Sequence, residues 1–216
     1  MCNISILYIT NTIILEINFN LDSHKTEILF PTTLHFLNYP SNDIPLLTEE
    51  IYKIRKNNPK TIVKSNVGGY HTPESTNLTQ NPKFFNFLNF IKYFFLKKYD
   101  SYANVYDMWG IISGKYCYNG LHSHLLNSYV GDKNKHWSGV LYLKTPKNCG
   151  SITFHSHQNL NAGKDVMPYE SLLLLFPSYV YHSVRPNLSD ENRVVVSFNL
   201  NIISKDKYEN RSNKSN

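Results

Sequence analysis

Cysteine is scarce in this sequence. The three cysteines, Cys2, Cys117 and Cys149, lie far apart and form no CxxC pair. An odd and widely spaced set of this size indicates neither a disulfide framework nor a thiolate zinc site. A reducing compartment is therefore expected, and we predict a cytoplasmic protein.

Long apolar runs are also missing. The most apolar stretch near the start, residues 4–15, is interrupted by polar side chains at 10–12. It is too short to cross a bilayer, and it lacks the basic start and the cleavage site of a signal peptide. The sequence therefore predicts no membrane association.

Arginine is rare among the basic residues. Lys and Arg number 22 against 16 acidic residues, which gives a formal charge of +6, but only Arg55, Arg185, Arg193 and Arg211 are arginines. Proteins that read DNA bases or phosphates rely more heavily on arginine. We interpret the charge as mild surface charge, which argues against a nucleic-acid partner.

The remaining composition is that of a globular protein. Of the 216 residues, 41% are hydrophobic and 18% charged. A chain of this length is able to bury a stable hydrophobic core without disulfide bonds or structural metals. We expect an irregular lead over 1–27, one domain over 28–204 and a polar tail over 205–216. Within the domain, a helical front layer (28–101) precedes a β core (102–204).

Two helices are predicted in the front layer. Thr48 followed by two acidic residues indicates a helix over 48–57. Asn81 and Pro82 are suited to start a second helix over 82–99, whose phenylalanines recur with helical spacing. The second helix is apolar enough to be buried against a sheet. Residues 28–30 predict a short strand closed by a turn at Pro31.

The C-terminal half of the sequence predicts short strands separated by Gly, Asn and Pro. The candidate strands are 104–113, 116–123, 138–144, 151–156, 171–177, 180–185 and 193–201. Seven short strands at this spacing indicate a sandwich, barrel or jelly roll. The expected fold class is therefore mainly β, with helices in front.

A histidine pair, His122 and His124, offers the clearest chemistry. On a strand, residues i and i+2 point to the same face, so both imidazoles are able to reach one metal ion. His182, which begins a strand after the buried run 172–177, is the best candidate for a third ligand. His155 and His157 form a second, weaker pair in a polar region. Such a pair is more typical of a solvated strand end than of a metal site.

Arg193 opens an apolar strand, where a guanidinium is costly unless it meets an anion. Ser197 lies four residues further and shares a face of that strand. Together they form a natural receptor for a carboxylate.

Three further features are interpreted as structural and not as part of a functional site. Gly68 and Gly69 predict a turn. Trp109 is interpreted as core packing, and Asn199 as an edge residue that satisfies local hydrogen bonds.

Taken in order, these motifs resemble those of the Fe(II)/2-oxoglutarate-dependent dioxygenases. The closest resemblance is to the 2OG-Fe(II) oxygenases of marine bacteria and their phages, which are similar to prolyl 4-hydroxylases. It runs from about Leu29 to Asn199, and no single motif is specific. The segments that carry it are 29–32, 65–71, Trp109, 122–124, 138–143, 175–178, His182 and 193–199.

The resemblance implies a double-stranded β-helix (jelly roll) with N-terminal helices packed on one sheet. It also implies that His122, His124 and His182 bind Fe(II). Arg193 then holds the far carboxylate of 2-oxoglutarate, a role in which Tyr142 and Ser197 assist. The implied reaction uses O2 to hydroxylate an unidentified small-molecule or peptide substrate, with release of succinate and CO2.

Two departures from the family pattern stand out. His124 occupies a position where the superfamily usually has Asp or Glu, so the triad carries one negative charge fewer. The loop 125–137 is longer than in relatives, and Asp132 or His136 within it is placed to fold back over the site.

Other functions fit parts of the pattern. A cupin-like metal protein (an isomerase, a thiol dioxygenase or a binding module) also uses HxH and a later His, but it usually adds a Glu that residues 125–128 lack. A zinc hydratase or hydrolase needs a general base, and no carboxylate stands in the motif. A non-enzymatic binding jelly roll is the third alternative.

Overall fold

The structure is a computed structural model that describes residues 3–9, 12–18, 32–124, 135–156 and 159–206. The chain divides into two compact units, residues 1–32 and 33–216. In the first unit, strands β1 (Asn3–Ile9) and β2 (Thr12–Asn18) form an antiparallel pair. The predicted strand at 28–30 and nearly all of the polar tail lie outside the described residues.

The part of the second unit that is described holds two sheets and two α-helices. Its helices are α1 (Ile44–Asn57) and α2 (Phe85–Tyr99). Its strands are β3 (His35–Asn38), β4 (Asn66–Val67), β5 (Tyr70–His71), β6 (Ser101–Ser113), β7 (Tyr118–His122), β8 (His136–Lys144), β9 (Ile152–His155), β10 (Gly163–Val166), β11 (Leu172–Pro177), β12 (His182–Val184) and β13 (Arg193–Ser204).

All strand pairs among the described residues of the second unit are antiparallel. The larger sheet has the order β3-β11-β8-β13-β6-β5, and the smaller has the order β10-β9-β12-β7-β4. One hydrophobic cluster lies between the helices and the larger sheet, and a second joins the larger sheet to β9 and β10 of the smaller. This is the expected mainly β jelly roll with helices packed on one sheet, and the predicted fold class is confirmed.

Strand β13 shows how one sequence serves both clusters. Val194, Val196 and Phe198 belong to the cluster under the helices. Arg193 and Val195, which alternate with them, line the cavity between the sheets. Because side chains alternate along a strand, the helix cover and the cavity wall are encoded in the same twelve residues.

The first helix begins earlier than predicted. Helix α1 starts at Ile44, with Pro45 in its first turn, so Thr48 is inside the helix and is not its cap. The Thr48 hydroxyl donates to the carbonyl of Ile44, one turn back. The second prediction holds, because the Asn81 side chain accepts from the Lys83 amide at the turn that leads into α2.

The back-half strands agree with the predicted ones apart from their ends, while four short strands were missed. Strand β10 is polar and almost entirely exposed, so no apolar alternation marked it. Strands β3, β4 and β5 show that the front segment is not only helical.

The turn between β4 and β5 links the two sheets. Gly68 and Gly69 both have positive φ, near +70°, and a Cβ on Gly69 would meet the carbonyl oxygen of Ile112 at 2.7 Å. Only glycine tolerates both conditions. Within the part of the chain that is described, no helix combines the length and apolarity that a membrane span requires.

Candidate active site

The fold brings the three predicted metal-ligating histidines together. His122 ends β7 and His182 begins β12, and these two residues are direct cross-strand partners. Their ring centroids are 4.2 Å apart, and that of His124 lies 5.1 Å from each. The potential ligand atoms lie within 4.8 Å of one another, and no other such group occurs among the described residues.

Each imidazole is held through its Nδ1 atom. Nδ1 of His122 lies 2.8 Å from the Gly120 carbonyl oxygen, and Nδ1 of His182 lies 3.0 Å from that of Val180. Nδ1 of His124 lies 2.8 Å from Oδ1 of Asn199. Because these oxygens only accept, each Nδ1 donates, and each Nε2 keeps its lone pair for a ligand.

His124 depends on a side-chain network that the strand alone does not supply. Strand β7 ends at His122, so His124 lies beyond the strand. The sequence had predicted both histidines on one strand. Its amide donates to the Ser178 carbonyl at 2.9 Å. Oδ1 of Asn199 also accepts from the Ser138 hydroxyl at 2.8 Å, and Ser138 contacts the Ser178 hydroxyl at the same distance.

Burial keeps the three imidazoles neutral. It lowers the pKa of His122, lowers the pKa of His124 to about 4, and lowers the pKa of His182 well below the usual 6.5. In the last two, repulsion from the neighbouring imidazoles acts in the same direction. Neutral imidazole is the form that binds a metal, so the cluster is ready for one at neutral pH.

The donor set fits a divalent transition metal. Three neutral nitrogens with anchored Nδ1 atoms suit iron, and they suit zinc or nickel as well. No carboxylate joins the group among the described residues, and its three members are all histidines. Ser65 lies beside the cluster, with its hydroxyl 3.3 Å from Nε2 of His122.

The histidines border a cavity of about 530 Å³. Its size is typical of small-molecule sites. Arg193 lines it and is only 2% exposed. Its guanidinium donates to the carbonyls of Cys149 and Arg185, and no Asp or Glu among the described residues forms an ion pair with it.

The strand turn at 149–150 is shaped around this arginine. Gly150 has φ +83°, and a Cβ there would collide with the carbonyl oxygen of Arg185. The glycine thus allows the two carbonyls that Arg193 contacts to approach each other. Burial lowers the Arg193 pKa from its usual value, as expected for a cation withdrawn from water.

Tyr142 and Ser197 also line the cavity. Tyr142 lies directly opposite Val195 on the neighbouring strand and interacts electrostatically with Arg193; burial raises its pKa. Ser197 lies opposite Trp109, four residues and therefore about 13 Å along the strand from Arg193. The roles assigned to these two residues in binding the cosubstrate stay predictions.

Trp109 and His71 line the cavity, and Trp109 also packs against the second hydrophobic cluster, in keeping with its predicted core packing. Trp109 is partly exposed to the cavity and stacks on His124, with centroids 5.7 Å apart and planes at 20°. Its indole also stacks on His71 at 5.8 Å and 10°. The role of Asn199 was underestimated, because it holds His124 and does more than satisfy local hydrogen bonds. Its spacing of six residues from Arg193 was the available signal, since residues at even spacing share a strand face.

His155, from the second histidine pair, does not join the metal group. The nitrogens of His155 contact the Leu160 carbonyl at 2.7 Å and the Ser183 hydroxyl at 2.9 Å. His157 and Asp132 lie outside the described residues. His136 begins β8, and it is not among the residues that line the cavity.

A family model described as "Putative 2OG-Fe(II) oxygenase" matches residues 107–199. This segment, less than half of the chain, contains the histidine triad, Arg193 and Asn199. The resemblance to 2OG-Fe(II) oxygenases seen in the sequence is thereby confirmed. Among curated proteins, none matches the chain by sequence.

Solved structures share the fold at low sequence identity. A prolyl-4-hydroxylase from Pseudomonas putida superposes with a TM-score of 0.57 and 12% identity, covering 78% of this chain and 91% of its own. HygX from Streptomyces hygroscopicus, solved with nickel, 2-oxoglutarate and hygromycin B, gives 0.58 and 14%, covering 79% and 83%. The collagen prolyl hydroxylase of Paramecium Bursaria Chlorella virus-1, in complex with 2-oxoglutarate, gives 0.54 and 12%, covering 78% and 96%.

Proposed function

We propose that this protein is an Fe(II)- and 2-oxoglutarate-dependent dioxygenase that hydroxylates a small-molecule or peptide substrate and releases succinate and CO2. The observation that carries the proposal is Arg193, a buried guanidinium that shares a cavity with three neutral imidazoles and has no acidic partner among the described residues. The family match and the structural neighbours agree with it.

A buried, unpaired cation destabilises a protein unless it serves a ligand. Two backbone carbonyls satisfy part of its donor capacity, but they do not neutralise its charge. A dicarboxylate that places one end on Arg193 removes that cost. Its other end then reaches toward the histidines, which is the geometry that 2-oxoglutarate requires of a receptor.

Each residue has a defined role in the proposal. His122, His124 and His182 hold Fe(II), and Arg193 binds the distal carboxylate, with Tyr142 and Ser197 as supporting hydroxyls. When bound, Fe(II) with 2-oxoglutarate and O2 supplies the oxidising power for hydroxylation. The chain orients the cosubstrate and excludes water, since Val195, Val140 and Ile111 form an apolar wall of the cavity.

Replacement of the carboxylate by His124 bears on the metal but leaves the reaction class intact. Three neutral imidazoles leave the centre one charge more positive than a triad that contains a carboxylate. The dianionic cosubstrate supplies the missing anionic ligand atoms. We therefore expect iron to be held more weakly in the absence of 2-oxoglutarate than in its presence.

The test is an anaerobic titration of the purified protein with Fe(II) and then 2-oxoglutarate, followed through the weak visible charge-transfer band of the chelate. We expect the band in the wild type. In Arg193→Ala we expect the half-saturating 2-oxoglutarate concentration to rise at least about 30-fold, because truncating one partner of a buried charge pair costs about 2–5 kcal/mol.

Arg185→Ala is the matched control. Arg185 is an exposed cation, paired with Asp165 at 3.2 Å, and its side chain is not part of the cavity lining. It should leave the half-saturation within about twofold of the wild type. An unchanged cosubstrate requirement in Arg193→Ala would refute the role of Arg193. Iron binding without the band would favour a cupin-like metal site, and tight zinc binding alone would favour a hydratase or hydrolase.

A further inference from the structure

The two longest strands of the larger sheet define opposite ends of the cavity. In the β6–β13 register, Arg193 pairs with Ser113 and Asn199 pairs with Asp107. Six residues of strand, or about 20 Å, separate the two pairs. Asn199 holds His124, so Asp107 lies next to the histidine cluster at the end of the cavity away from Arg193.

A β-bulge aims Asp107 into this cavity. Asn199 pairs with Asp107, but the next residue, Leu200, pairs with Val105, so the register skips one position of β6. Before the bulge, Val105 packs under the helices; after it, Met108 does so. The side-chain alternation thus changes by one residue at this point. Bulges that re-aim a side chain are common beside active sites.

Asp107 is a carboxylate that no cation of the described residues neutralises through an ion pair. The other charged residues near this end of the cavity, Lys64 and Glu74, pair with each other at 2.8 Å. The described residues that line this end therefore carry a formal net charge of −1, although the chain as a whole carries +6. Burial raises the pKa of Asp107, and the positive charges of Lys64 and His71 partly offset this rise.

Asp107 is also separate from the metal group. The ligand atoms that lie within 4.8 Å of one another belong to three histidines, and Asp107 is not among them. Its position beside the histidines, without membership in their cluster, suits contact with a substrate. The cavity has room for one beyond a five-carbon cosubstrate.

We propose that Asp107 binds an alkylammonium group of the substrate and so sets the substrate class to primary amines. This rests on the proposed function for the reaction, although the binding itself does not require it. A cationic substrate is the complement of a half-buried carboxylate that has no ion-pair partner among the described residues, just as a dicarboxylate is the complement of Arg193. His71, whose Nδ1 contacts the Thr72 carbonyl at 2.7 Å, leaves its Nε2 to accept a hydrogen bond from the same ligand.

The test compares ligands of equal length and different charge. Hexylamine, hexan-1-ol and hexanoate are titrated by ligand-observed NMR into the metal-free protein, and into the anaerobic protein with Fe(II) and 2-oxoglutarate. We expect hexylamine to bind at least tenfold more tightly than the other two. A second pair, capped lysine and capped norleucine, distinguishes a free amine from a peptide side chain as the source of the ammonium group.

Asp107→Asn removes the charge with little change of shape. It should weaken hexylamine at least tenfold and leave hexan-1-ol within twofold. Asp165→Asn, which alters an exposed carboxylate on the outside of β10, is the matched control and should change neither. Equal binding of amine and acid by the wild type, or an amine affinity unaffected in Asp107→Asn, would overturn the proposal.

The comparison within the wild type needs no variant, so misfolding of Asp107→Asn cannot conceal a failure. The amine titration on metal-free protein also separates this proposal from the previous one. A missing charge-transfer band with retained amine preference would reject the dioxygenase, whereas a normal band without amine preference would reject the role of Asp107.

Discussion

The two faces of β13 differ in what they bury. On the face toward the helices, Val194, Val196, Phe198 and Leu200 are all 0% exposed and wholly apolar. On the face toward the cavity, polar side chains alternate with them, at 193, 197 and 199, and only Val195 is apolar. The first face serves stability alone, whereas the second keeps polar groups that stability alone would not favour.

The difference has an energetic reason. Burying apolar side chains stabilises the fold by about 25 cal/mol for each Å² removed from water. Burying a guanidinium without an anion has the opposite effect. A strand that keeps such a group on one face only, in the same cavity as a histidine cluster, indicates that this face is a binding surface.

The largest expected effect comes from a substitution on the helix-facing side of β13. Phe198 packs edge-on against Phe87 at 5.5 Å and lies so close to Gly139 that a Cβ there would collide with it. Phe198→Ala should lower the free energy of unfolding by about 3–5 kcal/mol in urea denaturation. Ser197→Ala, on the other face of the same strand, should change it by less than about 0.5 kcal/mol. Equal losses would mean that the two faces do not differ in this way.

A smaller effect is expected from the cavity side, where Asn199 acts as a positioning residue. Asn199→Ala removes the acceptor that orients His124, so the affinity for Fe(II) should fall about 10- to 100-fold in anaerobic titrations. Asn199→Asp keeps an acceptor oxygen and should recover most of that affinity. Asn192→Ala, which loses only a contact to the Tyr52 hydroxyl at 3.2 Å, is the control. Equal affinities in Asn199→Ala and the wild type would show that His124 needs no such support.

Much of the cavity face was predictable from local pattern. The apolar alternation of β13 and the isolated Arg193 within it are visible in the sequence, and so is the HxH spacing. The role of Asn199 was missed because its partner, His124, lies 75 positions away. Asp107 was missed because a bulge changes the alternation of β6, and the sequence of Tyr106 and Asp107 carries no glycine or proline to mark it.

The fold class was predictable because seven apolar segments with turn residues between them leave few alternatives. The strands at the edges of the sheets were not predictable in this way. Strand β10 has three exposed residues of four, and β4 and β5 contain two residues each. Strands of this kind form because a neighbouring edge offers hydrogen bonds, which is tertiary context that no local window contains.

The smallest expected effect uses pH to separate the two faces. The cavity face adjoins three histidines, whereas the cluster under the helices contacts His35, which packs against Phe94 and Trp137. The His124 pKa is about 4 in the folded protein and 6.5 in the unfolded chain, so the unfolded chain binds more protons between these values. Stability is therefore present above pH 6.5 and lost as the pH falls. From about pH 7.5 to 5.0, the metal-free protein should lose roughly 1–2 kcal/mol of unfolding free energy through His124. His124→Gln, which does not titrate, should reduce the loss by that amount in urea denaturation at the two pH values. An identical loss in both proteins would place the pH sensitivity elsewhere than in this imidazole.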